Sequence, residues 1–253
     1  MRARGIALLG VIAYVVFLVA TMPARWALAH LALPPEVAIS DVQGTVWDGT
    51  ASIASPASGP IGDLRWRFLP ARLASARVAF AVDLSGKMLQ AHGELSRGVG
   101  GIEARGVTAR ADAALLSAFA PVAATWHPQG TVTLDAPALA WDGRKARGTA
   151  RAEWREASLA VSDVRPLGSY RIDLTADGGP ARIDVSTLEG ALRIAGHGSF
   201  APPGALAFSG EARAQADSAA ALEPLLDLLG PRRADGARSL DWRTVPQGLP
   251  SHS

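Results

Sequence analysis

The sequence predicts an all-β protein: an antiparallel twisted or curved sheet or sandwich of about a dozen strands, with one N-terminal transmembrane helix and two short helices. Apolar and polar residues alternate with period two along much of the chain, which is typical of strands with one buried face. Turn residues separate these stretches at intervals of roughly eight to fifteen residues, a spacing that favours antiparallel pairing. One stretch, at the N-terminus, is long and apolar enough to span a bilayer.

The N-terminal apolar stretch carries no charge over residues 5–22. As a helix it would be roughly 27 Å long, close to the ~30 Å hydrocarbon core of a membrane. Arg2 and Arg4 precede it. The positive-inside rule therefore predicts a cytoplasmic N-terminus at residues 1–4, a single-pass helix in the cell inner membrane at residues 5–24, and a periplasmic location for the bulk of the chain.

Two residues directly after this span, Arg25 and Trp26, are predicted to lie at the membrane–water interface, where Trp side chains anchor membrane helices. A cleaved signal peptide is the alternative, with Ala27-Leu28-Ala29 as the small-residue cleavage site. The apolar region is longer than the roughly 7–15 residues usual for a signal peptide, which favours an uncleaved anchor. Both interpretations export the folded domain.

The composition excludes several classes of function. There is no Cys, which removes thiol catalysis, disulfides and thiolate metal sites. The net charge is only +2, and the Arg residues alternate along strands instead of clustering, so no nucleic-acid partner is predicted. With 49% hydrophobic and 19% charged residues, the chain is expected to bury a core.

The predicted strands follow one another along the chain. Leu64, Trp66 and Phe68 alternate with charged residues, and Ser85-Gly86 and Asp177-Gly178-Gly179 mark turns further on. The apolar positions of the other alternating stretches are Val78, Phe80, Val82, Leu84, Leu89, Ala91, Leu95, Tyr170, Ile172, Leu174, Ile183, Val185, Leu192, Ile194, Leu206, Phe208 and Ala212.

Two short stretches have helical periodicity instead. Asp112 is positioned to cap a helix over residues 113–119, whose large apolar residues share one face. Ser218 is positioned to open a second helix, which Gly230-Pro231 ends.

These elements predict a periplasmic β domain at residues 36–215, a short helix at 216–230 and a tail at 231–253. The tail is rich in Arg, Gly, Pro and Ser, which predicts disorder. A repeated tripeptide within the β domain raises the hypothesis of two similar halves, at residues 36–120 and 125–215.

A motif at the start of the β domain recurs later. Residues 44–51 read GTVWDGTA, and residues 141–143 repeat the central WDG. Asp-Gly tolerates the positive φ of a tight hairpin turn, so both copies are predicted to form turns, with their Trp side chains packed in the core. The aspartates are interpreted as bonding the local backbone and not as catalytic acids. The residues assigned to this structural motif and its continuation are Gly44, Trp47, Asp48, Gly49, Leu64, Trp66, Pro70, Trp141, Asp142 and Gly143.

One predicted strand face consists of small residues: Ala146, Gly148, Ala150 and Ala152. Two interpretations are open. The face is either a shallow groove that exposes apolar surface, or part of an Ala-rich core filled by large side chains from an opposite sheet. The second is favoured.

No catalytic, cofactor-binding or metal-binding residues are predicted, and the protein is not expected to be an enzyme. The five His residues lack the spacing of metal ligands. There is no Gly-x-Ser-x-Gly elbow. The glycine pairs lack the strand–loop–helix context of phosphate binding, and are therefore interpreted as turns.

Four runs together resemble one known family: VQGTVWDGTA at residues 42–51, LRWRFLP at 64–70, LGSY at 167–170 and GALRIAG at 190–196. The most specific part is the Gly-Thr-Val-Trp-Asp-Gly run followed by Leu-x-Trp-x-Phe-x-Pro. These runs occur in the order found in one family. Over residues 1–230 the chain resembles the general secretion pathway protein N family, the N component of type II secretion systems.

This resemblance implies an inner-membrane protein with a periplasmic β domain that works as a non-catalytic component of type II protein secretion. Its partners would be the inner membrane and other secretion components, and it brings neither catalytic residues nor cofactors. The chain also resembles AsmA-like proteins, whose long curved sheets expose an apolar groove to lipids. That similarity leaves open the alternative of an envelope lipid-handling protein, with residues 146–152 as the expected lipid site.

Overall fold

The computed structural model describes residues 14, 17–18, 20–28, 37–56, 59–119, 121–201 and 204–244. The predicted cytoplasmic residues 1–4 lie outside this set, as does most of the predicted span at 5–24. Within the described residues, no helix combines the length and the apolar character that crossing a bilayer requires.

Among the described residues, thirteen strands form one sheet in which each strand pairs antiparallel with the next along the chain. The strands are β1 Ala38–Gly44, β2 Asp48–Ser55, β3 Gly59–Phe68, β4 Arg77–Ser85, β5 Leu89–Gly98, β6 Gly101–Asp112, β7 Gln129–Trp141, β8 Ala146–Ser158, β9 Gly168–Asp177, β10 Ala181–Glu189, β11 Leu192–Ala201, β12 Ala205–Ala214 and β13 Arg238–Thr244. The predicted all-β class with antiparallel pairing is confirmed. In the part of the chain that the structure describes, the architecture is a single sheet and not a sandwich, because every strand pairs with its neighbours in the sequence.

The described helices are short and lie outside the sheet. They are α1 Ala24–Leu28, α2 Leu116–Phe119, α3 Pro121–Trp126 and α4 Ala219–Leu229, with 3₁₀ turns at Pro70–Ser75, Ala113–Leu115 and Ala216–Ser218. Asp112 caps the helical segment as predicted, since its Oδ1 accepts a hydrogen bond from the Ala114 N–H at 2.9 Å. Ser218 makes no such bond, because a 3₁₀ turn leads directly into α4 and places Ser218 inside a helical run.

The strand register separates the sheet into an apolar and a polar face. Directly paired residues share a face, and the pairing runs from Phe68 to Phe80 and from Phe80 to Leu95 across three strands. Further along, Ile172 pairs with Val185 in the same way. The period-two pattern of the sequence thus produces one continuous apolar surface from β2 to β13.

The opposite face carries cross-strand ion pairs. Arg151 Nε lies 2.6 Å from Asp173 Oδ1, and Arg171 Nη2 lies 3.0 Å from Glu153 Oε1. The Arg155 and Arg171 guanidinium groups bond to Glu153 and lower the pKa of its carboxyl. This face is therefore a solvated, charge-paired surface.

The main core lies at one end of the sheet, where α4 packs against β11–β13. Leu222 and Leu225 of α4 are fully buried there with Leu192 of β11 and Leu240 of β13. Burying one such side chain contributes about 2 kcal/mol relative to leaving it exposed. The helix that the sequence predicts at residues 216–230 thus covers one part of the apolar face.

Residues 231–253 were predicted to be disordered, and that prediction is wrong for β13, which extends the sheet at Arg238–Thr244. Leu240 and Trp242 alternate with polar residues and continue the apolar face. Arg238 is only 6% exposed, and its Nη2 bonds to Glu223 Oε1 at 2.7 Å and to the Asp227 carboxylate of α4. This buried cation between two carboxylates attaches the strand to the helix.

Candidate functional site

A cavity of about 470 Å³ lies on the apolar face of β8–β13. It is covered at one end by α4 and by Trp126, Leu159 and Leu167. Its lining is entirely apolar and aromatic. It consists of Trp126, Trp154, Leu159, Leu167, Tyr170, Ile172, Ile183, Val185, Leu192, Ile194, Leu206, Phe208, Leu225, Leu229, Leu240 and Trp242. A volume of several hundred Å³ with an apolar lining is typical of small-molecule sites.

The polar atoms of the central aromatic residues point to backbone acceptors and not into the cavity. Tyr170 donates its hydroxyl hydrogen to Leu192 O at 3.0 Å, and burial raises the pKa of this hydroxyl. Trp154 donates its indole N–H to Gln129 O at 3.0 Å. An occupant would find hydrocarbon there and no hydrogen-bond partner from these two residues.

Glycines shape the floor of the cavity. Gly196 of β11 pairs with Gly210 of β12, and the ring of Phe208 lies across both: a Cβ at Gly196 would come within 2.5 Å of the Phe208 ring. Trp242 of β13 stacks on Phe208 with ring centroids 5.7 Å apart. A side chain at Gly196 would lift the Phe208 ring into the cavity.

A second apolar groove of about 360 Å³ lies on the same face, toward the opposite ends of the strands. Its lining includes Trp141, Ala146, Leu174 and Phe200. It therefore includes the start of the small-residue face that the sequence predicted at residues 146–152. The favoured expectation, that an opposite sheet fills this face, is wrong for the described residues, which form one sheet.

Basic residues lie at the outer end of this groove, in the turn between β7 and β8. Lys145 and Arg147 reach the β9–β10 turn, where each side chain is 3.7 Å from the position that a Cβ would take at Gly178. Arg147 Nη1 is 3.6 Å from Asp142 Oδ2. Arg144 and Lys145 are exposed and make no direct ion pair within the described part of the chain, although the Lys145 charge contributes to the lowered pKa of Asp142.

The first Trp-Asp-Gly copy does not form the predicted turn. The turn is formed by residues 45–47, with Gly44 at φ 85°, while Asp48 and Gly49 already belong to β2. Thr45 Oγ1 accepts the Trp47 and Asp48 N–H groups, both at 3.2 Å, so the threonine replaces the aspartate as the turn's side-chain acceptor.

Gly49 has a different role from the predicted one. It lies opposite Trp66, and a Cβ there would come within 2.4 Å of the Trp66 ring and 2.6 Å of Gln43 O. Trp66 in turn donates its indole N–H toward Val46 O at 3.1 Å and Thr45 O at 3.3 Å. Gly49 is therefore needed for the close approach of this indole, and not for positive φ.

Other residues of the first motif pack around the same turn. Trp47 is half-buried, with its ring edge-on to Phe68 at 4.9 Å between centroids. Leu64 lies on the apolar face opposite Leu84, and Pro70 begins the 3₁₀ turn that follows β3.

The second copy forms the turn that the sequence predicts. Trp141 ends β7, and Gly143 has φ 96°. Asp142 Oδ1 accepts the N–H groups of Lys145 at 2.7 Å and Arg144 at 2.9 Å. Its carboxylate bonds the local backbone, which is the role the sequence assigned to it.

The predicted interface residues Arg25 and Trp26 lie on α1, directly before the sheet. Trp26 is 57% exposed. An isolated bridge between Pro23 and Thr45 and a hydrogen bond from Val46 N to Met22 O attach this segment to the β1–β2 turn.

The cavity is not apparent from the sequence. The sequence predicts the alternating strands that form its floor, but not the covering residues Leu159 and Leu167 or β13 with Trp242. The residues of β13 do show the signal, since Leu240 and Trp242 alternate with Ser239 and Asp241. Nothing local indicates that Leu159 and Leu167 fold over the sheet.

The fold and the cavity define a class of protein: a long antiparallel sheet with an apolar face that is partly covered at one end. The family model of type II secretion system (T2SS), protein N, matches residues 35–241, and the chain belongs to this family. It is 28% identical over 199 residues to the type II secretion system protein N of Vibrio cholerae serotype O1, covering 77% of each chain. No solved structure matches the chain significantly.

Proposed function

We propose that the protein is a non-catalytic, inner-membrane-anchored component of the type II protein secretion machinery, with its sheet in the periplasm. Membership of the protein N family carries this proposal. The apolar residues 5–24 support the anchor, and the large side chains described within or beside it are exposed: Tyr14, Phe17, Leu18 and Trp26. The Pro23–Thr45 bridge would hold the sheet next to the membrane surface.

The proposed mechanism is scaffolding through a sheet edge. The outer strands differ: β1 is interrupted by a bulge between Ser40 and Gln43, with Asp41 at φ 51°, whereas β13 is in regular register with β12 over residues 238–244. Bulges protect edges from pairing, and regular edges accept an added strand. The β13 edge is thus the better site for β-augmentation by another secretion component.

Deletion of the gene, followed by separate assays of exoprotein secretion and detergent sensitivity, tests the proposed function. Loss of secreted hydrolases with an intact outer-membrane barrier is the expected result. Normal secretion in the deletion strain would contradict a role in the secretion machinery.

Photo-crosslinking tests the edge. A photoreactive amino acid replaces Arg243 on β13 of the full-length protein, and the matched control replaces Asp41 on the bulged β1. We expect adducts with secretion components, identified by mass spectrometry, from position 243 only. Equal crosslinking from both positions would remove the distinction between the edges.

A second candidate function is lipid handling in the envelope, and the apolar cavity under α4 favours it. In that case deletion would increase detergent sensitivity and leave secretion intact. The same pair of assays therefore separates the two functions.

A further inference from the structure

We propose that the apolar face of β9–β12 binds one acyl chain of an anionic phospholipid, with the chain end under α4 and the head group at the turn formed by residues 142–145. This inference rests on the second candidate function and assigns its site and ligand. Four observations support it: the lining, the volume, the length and the charge.

The lining selects a hydrocarbon. The cavity exposes only apolar surface, and the polar atoms of Tyr170 and Trp154 are already bonded to backbone carbonyls. An extended peptide would lose the hydration of its backbone N–H and C=O groups there and gain no partners. An acyl chain has no such groups, so it loses nothing on entering.

The volume favours a single chain over a docked helix. One turn of an α-helix about 10 Å across and 5.4 Å long occupies roughly 400 Å³, so the cavity of about 470 Å³ would hold little more than one turn. Recognition of a helix requires side chains from several turns. A flexible chain can fill the same space along its length.

The length fits a membrane lipid. The cavity and the second groove lie on the same face of the same strands, since Tyr170 lines one and Ala176, on the same strand, lines the other. These residues are six positions apart on β9, about 20 Å along the strand. An acyl chain in one leaflet of a bilayer extends over about 15 Å, half of the ~30 Å hydrocarbon core. The path of about 20 Å along β9 is therefore long enough for one such chain.

The charge at the outer end favours an anionic head group. The second groove ends at Trp141 and Ala146, which flank the turn carrying Arg144 and Lys145. Both cations are exposed, and neither pairs directly with a carboxylate among the described residues, although the Asp142 carboxylate in the same turn interacts with Lys145 and pairs with Arg147. This turn lies at the same end of the strands as the β1–β2 turn, to which Pro23 is bridged, so a chain entering from a membrane would meet this end first.

The test uses the purified full-length protein in phosphatidylglycerol nanodiscs whose lipid carries a diazirine within one acyl chain. After illumination, mass spectrometry maps the labelled residues. We expect labels in β9–β12 on the apolar face, in addition to the N-terminal apolar segment. Labels confined to residues 5–24 would overturn the proposal.

Matched variants on one strand localise the site. Val185→Trp fills the cavity and is expected to reduce labelling of the sheet severalfold, whereas Ser186→Trp, on the opposite face of β10, leaves it unchanged. If Val185→Trp lowers protein abundance, Ile172→Glu replaces it: Ile172 is already 40% exposed, so we expect this variant to fold while placing a charge beside the acyl chain. Equal labelling of Ser186→Trp and either apolar-face variant would contradict the proposed site.

A comparison of two lipids tests whether the site prefers an anionic head group. Diazirine-bearing phosphatidylcholine is expected to label the sheet less than phosphatidylglycerol, and a double variant, Arg144→Glu with Lys145→Glu, is expected to abolish that preference. Equal labelling of the original protein by both lipids would overturn the anionic assignment. A labelled site in a protein whose deletion leaves the detergent barrier intact would refute lipid handling as the function while keeping the site. Absence of label would refute the site whatever the deletion shows.

Discussion

The two Trp-Asp-Gly tripeptides have identical residues but occupy different positions in their hairpins. In the second copy, Asp142 and Gly143 form the turn, and the carboxylate accepts two backbone N–H groups. In the first copy the turn lies upstream, and Asp48 and Gly49 are strand residues. The tripeptide therefore does not determine the turn by itself.

The residues around each copy explain the difference. In the first, Thr45 Oγ1 provides the side-chain acceptor and the Trp66 indole donates to the turn carbonyls, so the turn is complete before Asp48. In the second, Asp142 itself provides the side-chain acceptor, and among the described residues no indole donates to the carbonyls of the turn. Trp154, the next Trp after the second copy, lines the cavity and donates its indole N–H to Gln129 O, which lies outside the turn. The two copies thus give no structural support to a duplication.

The largest effect is expected from Gly49→Val. Its side chain would collide with the Trp66 ring and with Gln43 O, so we expect destabilisation by about 3 kcal/mol and a loss of protein abundance. Urea unfolding of the full-length protein measures the change. The double variant of Gly49→Ala with Trp66→Leu is expected to recover part of the stability that Gly49→Ala loses, since the leucine vacates the ring position. If no stability is recovered, the contact with Gln43 O and not the one with the Trp66 ring accounts for the loss.

A smaller effect is expected from Trp66→Phe, which removes the indole N–H that serves Val46 O and Thr45 O. Leaving these carbonyls unsatisfied is expected to cost about 1–2 kcal/mol in the free energy of unfolding. Trp141→Phe is the control, because the Trp141 indole makes no hydrogen bond within the described residues. If both variants lose the same free energy of unfolding, the loss comes from the smaller ring and not from the missing indole N–H.

Local sequence pattern predicts much of this fold, because a strand's two faces are determined by alternation within a few residues. Leu64, Trp66 and Phe68 occupy the apolar face as their spacing indicates. The same pattern at Leu240 and Trp242 is equally clear, but the Arg-, Gly- and Pro-rich composition around it led to a prediction of disorder.

Local pattern does not predict the cavity or the single sheet. The covering of β11–β13 depends on contacts between α4 and residues far away in sequence, such as Leu222 with Leu192. The position of the first turn depends on Trp66, 21 residues beyond Thr45. Such contacts follow from tertiary packing, which the tripeptide itself does not specify.

Gly143→Ala is expected to cost about 1–2 kcal/mol, because an L-residue is strained at φ 96°. Apart from the adjacent residues of the chain, no described residue lies within 4 Å of a Cβ at this position, so the cost is conformational and not steric. Trp66→Leu should therefore have no effect on the stability lost by Gly143→Ala, in contrast to Gly49→Ala. The four unfolding midpoints of that double-mutant cycle measure the coupling, and a coupling as large as that of Gly49→Ala would contradict the steric explanation of the first copy.

The smallest effect, and the only pH-dependent one, is expected from Asp142→Ala. Hydrogen bonds from the backbone N–H groups of Lys145 and then Arg144 lower the pKa of Asp142, so its stabilising contribution is fully present above the ordinary carboxyl pKa of about 4 and is lost as the pH falls through the lower, folded-state value. The difference in Tm between the original protein and Asp142→Ala should thus be constant from about pH 8 to pH 6 and shrink in acid. Asp48→Ala is the matched control: the Asp48 carboxylate makes no hydrogen bond within the described part of the chain, so this variant should leave Tm unchanged across the range. A pH-dependent loss for Asp48→Ala equal to that for Asp142→Ala would mean that both aspartates act as turn acceptors, and that the two copies differ less than their backbone positions indicate.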